Sequence, residues 1–156
     1  MLLVTPSEME SIDAETIRER GLPSLVLMEN AARSVIPHIP PGPVSVLIGP
    51  GNNGGDGLVI ARALKEMGRP VEALLLSETL SDDAAIQRDL AEQWGVPLLP
   101  HWDDGVEAPT FRPGTVVVDA LFGTGLSRTL SGRYSKVLER ANQAEVFRLA
   151  IDIPSG

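Results

Sequence analysis

The chain has 156 residues, 43% hydrophobic and 22% charged, a balance that fits one folded globular domain and excludes extended disorder. Its 13 basic and 21 acidic residues leave a net charge of −8, which argues against a broad nucleic-acid-binding face. With no cysteine and only His38 and His101, far apart and in Pro-rich surroundings, thiol chemistry is excluded and a histidine metal site has little support.

In chain order, the start Met1–Pro6 lacks a basic region and reads as no signal peptide. No apolar run approaches the ~20 residues that span a bilayer, so the expected location is the cytoplasm. Thr5-Pro6-Ser7-Glu8 predicts a helix start: Thr5 as N-cap, Pro6 at the first helical position and Glu8 closing a capping box. Met9, Ile12, Thr16 and Ile17 then share one face as far as Arg20, and Gly21 ends the helix. A second amphipathic helix, carrying Leu25, Met28, Ala31, Ala32 and Val35, runs to Pro37, its Ala pair suited to close packing. Pro37, Pro40, Pro41 and Pro43 form a stiff connector.

From Val44 the pattern alternates strand and helix. Strands are predicted at Val44–Ile48, Val71–Leu76, Val96–Leu99, Thr115–Val118 and Val146–Ile151. Helices are predicted at Gly57–Met67, Asp82–Trp94 with Ala85, Ile86 and Leu90 inward, and Gly132–Ala144 with a Tyr134, Val137, Leu138, Ala141 stripe. His101–Pro113 reads as a surface loop, and Trp94 and Trp102 as packing residues. Strands apolar throughout, alternating with three-turn helices, imply an α/β fold: a Rossmann-like three-layer sandwich around a mostly parallel sheet, with two added N-terminal helices.

In such sheets ligands bind outside the carboxyl ends of the strands. Three polar loops leave those ends: Gly49–Gly57, Asp119–Gly125 and Asp152–Gly156. The first holds glycines ahead of a helix N-terminus, where backbone N–H groups and the helix dipole favour an anion; Pro50 donates nothing. Gly49-x-Gly51-x-x-Gly54 also matches a dinucleotide fingerprint, with Glu78 near the distance of a ribose acid, and no Walker lysine follows. The plain alternative is a glycine turn with Asp56 as N-cap. Asp119 and Asp152 each follow a strand and are expected in one crevice, where two close carboxylates require a cation or a raised pKa. Asn53, Asp119 and Ser155 offer one hard oxygen donor per loop, fit for an alkali or alkaline-earth ion, though from sequence alone three independent turn residues is the favoured reading.

The segments Leu27–Ala31, Gly49–Gly57, Val118–Arg128 and Ala150–Gly156 together resemble the NAD(P)H-hydrate epimerase family, also called the YjeF N-terminal domain, in order and from Leu27 to the last residue. The resemblance implies one domain over residues 1–156 and an isomerase. Its reaction would interconvert the R and S forms of hydrated NADH and NADPH, supplying an S-specific dehydratase. It implies that Asn52, Asn53, Gly54, Gly55 and Asp56 touch the hydrated nucleotide, and that Gly123, Thr124, Gly125, Leu126, Ser127, Arg128 and Thr129 form a second wall. It further implies that Asp152 contacts the substrate near the reacting ring, and that Asn53, Asp119 and Ser155 hold one potassium ion (K+) per subunit. Asp152 is the expected acid/base group.

The resemblance also favours a homodimer and a functional link or fusion to the dehydratase. The N-terminal helix pair, taken alone, fits a dimerisation element and packing on the sheet's own face equally. Family domains continue for several elements beyond the third loop, so a chain ending at Gly156 is expected to be incomplete at its C-terminus. A non-catalytic nucleotide- or RNA-binding scaffold module of the same fold is the alternative, disfavoured by the −8 charge and the retained acidic residues. An NAD-dependent oxidoreductase, resting on Gly49–Gly54 and Glu78, ranks last.

Overall fold

The computed structural model describes residues 5–100, 108–126 and 129–156. The helix α1 (Pro6–Arg20) begins as its capping box dictates: Thr5 Oγ1 accepts the Glu8 N–H at 3.3 Å, and the Thr5 N–H donates to Glu8 Oε2 at 2.6 Å. Gly21, left-handed at φ 67°, ends it. Yet Met9, Ile12 and Ile17 are 47%, 47% and 40% exposed, so the apolar face read from the sequence meets no core.

The remaining elements are α2 (Ser24–Val35), a 3-10 turn (Ile36–His38), β1 (Val44–Ile48), α3 (Asn52–Glu66), β2 (Val71–Leu75), α4 (Asp82–Gln93), β3 (Leu98–Leu99), β4 (Val116–Ala120), α5 (Arg133–Gln143) and β5 (Phe147–Ala150). All strand pairs are parallel, in the order β3-β2-β1-β4-β5. Central β1 and β4 are buried along their whole length, as strands covered on both faces must be. Alternate side chains serve opposite faces. Val44, Val46, Ile48, Val116, Val118 and Ala120 meet Leu58, Ala61 and Leu64 of α3 on one side. Leu47, Leu74 and Val117 meet Val137, Leu138 and Ala141 of α5 on the other.

The N-terminal helices do not pack on the sheet's own face, one of the two arrangements the sequence allowed. Neither lies on the sheet: α2 packs on α3 through buried Met28 and Ala32, while Ala31 is exposed. Burying a Val or Leu side chain contributes roughly 1.5–3 kcal/mol, so Val137 and Leu138 fasten α5 firmly. Among its described side chains α1 buries none and relies on caps worth ~1 kcal/mol.

Two further readings are corrected. On α4 the buried residues are Ala84, Gln87 and Ala91, with Ile86 44% exposed. The cause is Arg62, buried on α3, which donates to Glu29 of α2 and to Gln87 Oε1 at 3.4 Å and so draws the polar side chain inward. The guanidinium also lies 5.8 Å from the Trp94 ring, and Trp94 is 48% exposed instead of packed. His101, Trp102 and the first part of the predicted 101–113 loop lie outside the described residues.

Candidate active site

The strand order reverses between β1 and β4, because β1 leads to α3 on one face and β4 to α5 on the other. That switch point is where a parallel sheet opens a crevice. Here it is a cleft of about 660 Å³. One wall is the turn and first helical residues after β1, the other the loop after β4, and Asp152 follows β5.

The glycine segment folds differently from its sequence reading. The helix starts at Asn52, with Gly51 as N-cap, so Asn52–Asp56 are its first turns and Asp56 is not a cap. The turn is compact: a β-carbon at Gly49 would overlap the Leu121 carbonyl oxygen, and one at Gly54 the Gly49 carbonyl oxygen. Asn52, Asn53 and Asp56 line the cleft, whereas Gly54 and Gly55 are buried in the packing of α3. The loop after β2 braces the turn, Ser81 donating from its N–H to the Pro50 oxygen and from Oγ to Asn52 Oδ1, each at 2.8 Å. Glu78 is exposed in that loop and is not among the residues lining the cleft.

From the second loop, Gly123, Thr124, Gly125 and Leu126 line the cleft. Thr129 is exposed and outside its lining, and Ser127 and Arg128 lie outside the described residues. Asp152 Oδ2 accepts the Thr124 N–H at 2.9 Å, and a β-carbon at Gly123 would come within 2.5 Å of the same oxygen. The bare backbone at 123 is what lets this carboxylate lie against the loop.

Asp119 takes another place. It is buried at the end of β4, on the side of the sheet that α5 covers, rather than in the cleft with Asp152. Its Oδ1 accepts the Leu121 N–H at 3.1 Å and the Ser155 hydroxyl at 2.9 Å; its Oδ2 accepts the Ser155 N–H at 2.8 Å. Ser155 Oγ in turn accepts the Phe122 N–H at 3.2 Å, which ties the second loop to the third. All these donors are neutral, so a buried carboxylate stands without a cationic partner among the described residues. The buried Asn53 Nδ2 has no hydrogen-bond partner among the described residues. Turning that amide by half a revolution would offer its carbonyl oxygen instead.

The carboxyl that feels Asp152 is therefore not Asp119 but Asp56. Burial first, and the nearby charge of Asp152 after it, push the Asp56 carboxyl up to about 7. The sequence reading also missed Thr5, Met9 and Asp13, which line the cleft from α1 at helical spacing. No local signal marks them, since they reach the site only through the placement of α1. Among the described residues lining the cleft there is no lysine, arginine or histidine.

Comparison with known proteins places this architecture. The chain is 41% identical to an NAD(P)H-hydrate epimerase of Rhodopirellula baltica, over 98% of its own length and 65% of that protein. It is also 41% identical to an NAD(P)H-hydrate epimerase of Weissella koreensis, over 98% of the chain and 70% of that protein. The chain thus spans about two thirds of the length of these relatives. Among solved structures it is similar to the yeast protein ynu0, YNL200c, with 26% identity and a TM-score of 0.77 over 99% of this chain and 72% of that one. Residues 24–156 match the family described as YjeF-related protein N-terminus, and the chain belongs to that family.

Proposed function

We propose that the chain is an isomerase that interconverts the R and S forms of hydrated NADH and NADPH. The observation that carries the reading is the pairing of a switch-point cleft, with Asp152 held against a glycine-opened loop, and relatives named for this epimerisation. The backbone N–H groups at the start of α3 suit the nucleotide's phosphates, since four such groups at a helix N-terminus lack internal partners. Asn52, Asn53 and Asp56 on one wall and Gly123 to Leu126 on the other contact the nucleotide.

Asp152 serves as acid/base at the hydrated ring carbon. Protonation of the ring hydroxyl lets it leave as water with its bonding pair, while the ring nitrogen's lone pair forms a flat iminium. Water returns to either face and gives up a proton. A positioned acid/base group contributes ~10²–10⁴-fold.

Asn53, Asp119 and Ser155 fit a potassium ion: the donors are hard oxygens, and the uncompensated buried carboxylate and unpartnered amide leave a place for a cation. A bound potassium ion would supply positive charge that orders the loops and the phosphates. The cytoplasm is the proposed location, and a homodimer linked functionally to an S-specific dehydratase the proposed assembly. The RNA-binding alternative gains no support from an acidic cleft.

The test is epimerisation of purified R-hydrate, coupled to S-specific dehydratase. The parent should turn over in potassium chloride and lose activity in choline chloride. Asp152→Asn should lower turnover by ~10²–10⁴-fold. Turnover within a few-fold of the parent would rule out the role of Asp152, and indifference to choline would rule out the ion.

A further inference from the structure

We propose that Asp56 is a second acid/base residue of this site, sharing one proton with Asp152 across the cleft. The inference rests on the epimerase reading above and adds the group that carries the proton at neutral pH. Both side chains line the same cleft, one from the second turn of α3 and one from the loop after β5. They are unequal. Asp152 has a fixed donor, the Thr124 N–H at 2.9 Å, and is exposed to water. Asp56 is half-buried, and no hydrogen bond to its carboxyl is found among the described residues. Two neighbouring carboxylates cannot both ionise cheaply, so the single proton belongs on the one without a donor. Asp13 of α1 lines the same cleft, while Asp119 lies outside it, bonded to Ser155. The direction of the Asp56 shift agrees with the geometry.

Such a pair performs both halves of an epimerisation. The Asp56 proton goes to the ring hydroxyl, and the C–O bond breaks with its electron pair leaving on water. The ring nitrogen's lone pair forms the iminium, whose positive charge faces the Asp152 carboxylate. When water attacks the iminium carbon, its proton goes to the Asp152 carboxylate and passes from there back to Asp56. One water leaves, one enters, and the enzyme ends in its starting state, as a reversible interconversion requires.

The test compares the parent chain, Asp56→Asn and Asp56→Glu in the coupled assay between pH 5.5 and 9. The parent's kcat should fall as pH rises through about 7, where Asp56 gives up its proton. Asp56→Asn should lower kcat by ~10²–10⁴-fold with KM within a few-fold, and abolish that fall, because an amide cannot supply the proton. Asp56→Glu should recover part of the turnover. An Asn variant that keeps both its kcat and the fall near pH 7 overturns the proposal. Carboxyl carbon NMR of the parent and of Asp152→Asn gives an answer without turnover. Asp56 should titrate near 7 in the parent and lower in the variant. An Asp56 midpoint in the ordinary aspartate range overturns the shared proton. A parent that shows this titration but does not epimerise would instead overturn the epimerase reading.

Discussion

Asp56 is a half-buried carboxyl facing another carboxylate, and the fold carries it at a thermodynamic cost that depends on pH. Its folded pKa, about 7, lies above the ordinary aspartate value of 3.8. Below the lower value both folded and unfolded chains hold the proton. Between the two, the folded chain keeps it while the unfolded chain releases it, so stability declines as pH rises through to about 7. Asp56→Asn removes this burden. It should therefore raise Tm relative to the parent clearly at pH 8 and little at pH 4, a difference readable by thermal unfolding. Equal effects at both pH values would contradict the shift. The sequence offered Asp56 only as a cap or a nucleotide contact. Its charge state depends on Asp152, 96 positions away, and on burial that no local pattern encodes.

At the scale of elements, the segment after β1 is as much packing as site. Its Gly49 backbone lies against Leu121 and its Gly54 against Gly49, so side chains there have no room. Gly49→Ala should cost ~1–3 kcal/mol or more by overpacking, while Gly51→Ala, whose β-carbon would have nothing within 4 Å, should stay within ~0.5 kcal/mol. Urea unfolding of both variants checks this; equal losses would mean the glycines serve flexibility rather than close approach. The sequence pattern located α1, β1 and the α5 stripe well, because a capping box, a buried apolar run and a helical repeat are local signals. It started α3 at Gly57 rather than Asn52, since glycines read as loop residues until the neighbouring strand demands their small size. It turned α4 toward Ile86 because the demand for Gln87 comes from Arg62, on another helix.

For the whole molecule, the exposed Met9, Ile12 and Ile17 of α1 leave an apolar face open, which supports the proposed homodimer. Light scattering at micromolar concentration should give twice the chain mass; a monomer would count against it. Among the described residues no helix is long and apolar enough to cross a membrane. The sequence by itself determined the α/β alternation, the parallel sheet and the three polar loops that form the site, because periodicity, caps and glycine spacing act over a few residues. Only the tertiary structure decided which carboxylates meet. It set Asp119 outside the cleft with Ser155, brought Asp56 and Asp152 into one cleft, and added Asp13 from a helix that buries no described side chain. The reason is physical: burial and the distance between charges are properties of packed surfaces, and they arise when β1 and β4 become neighbours across the switch point.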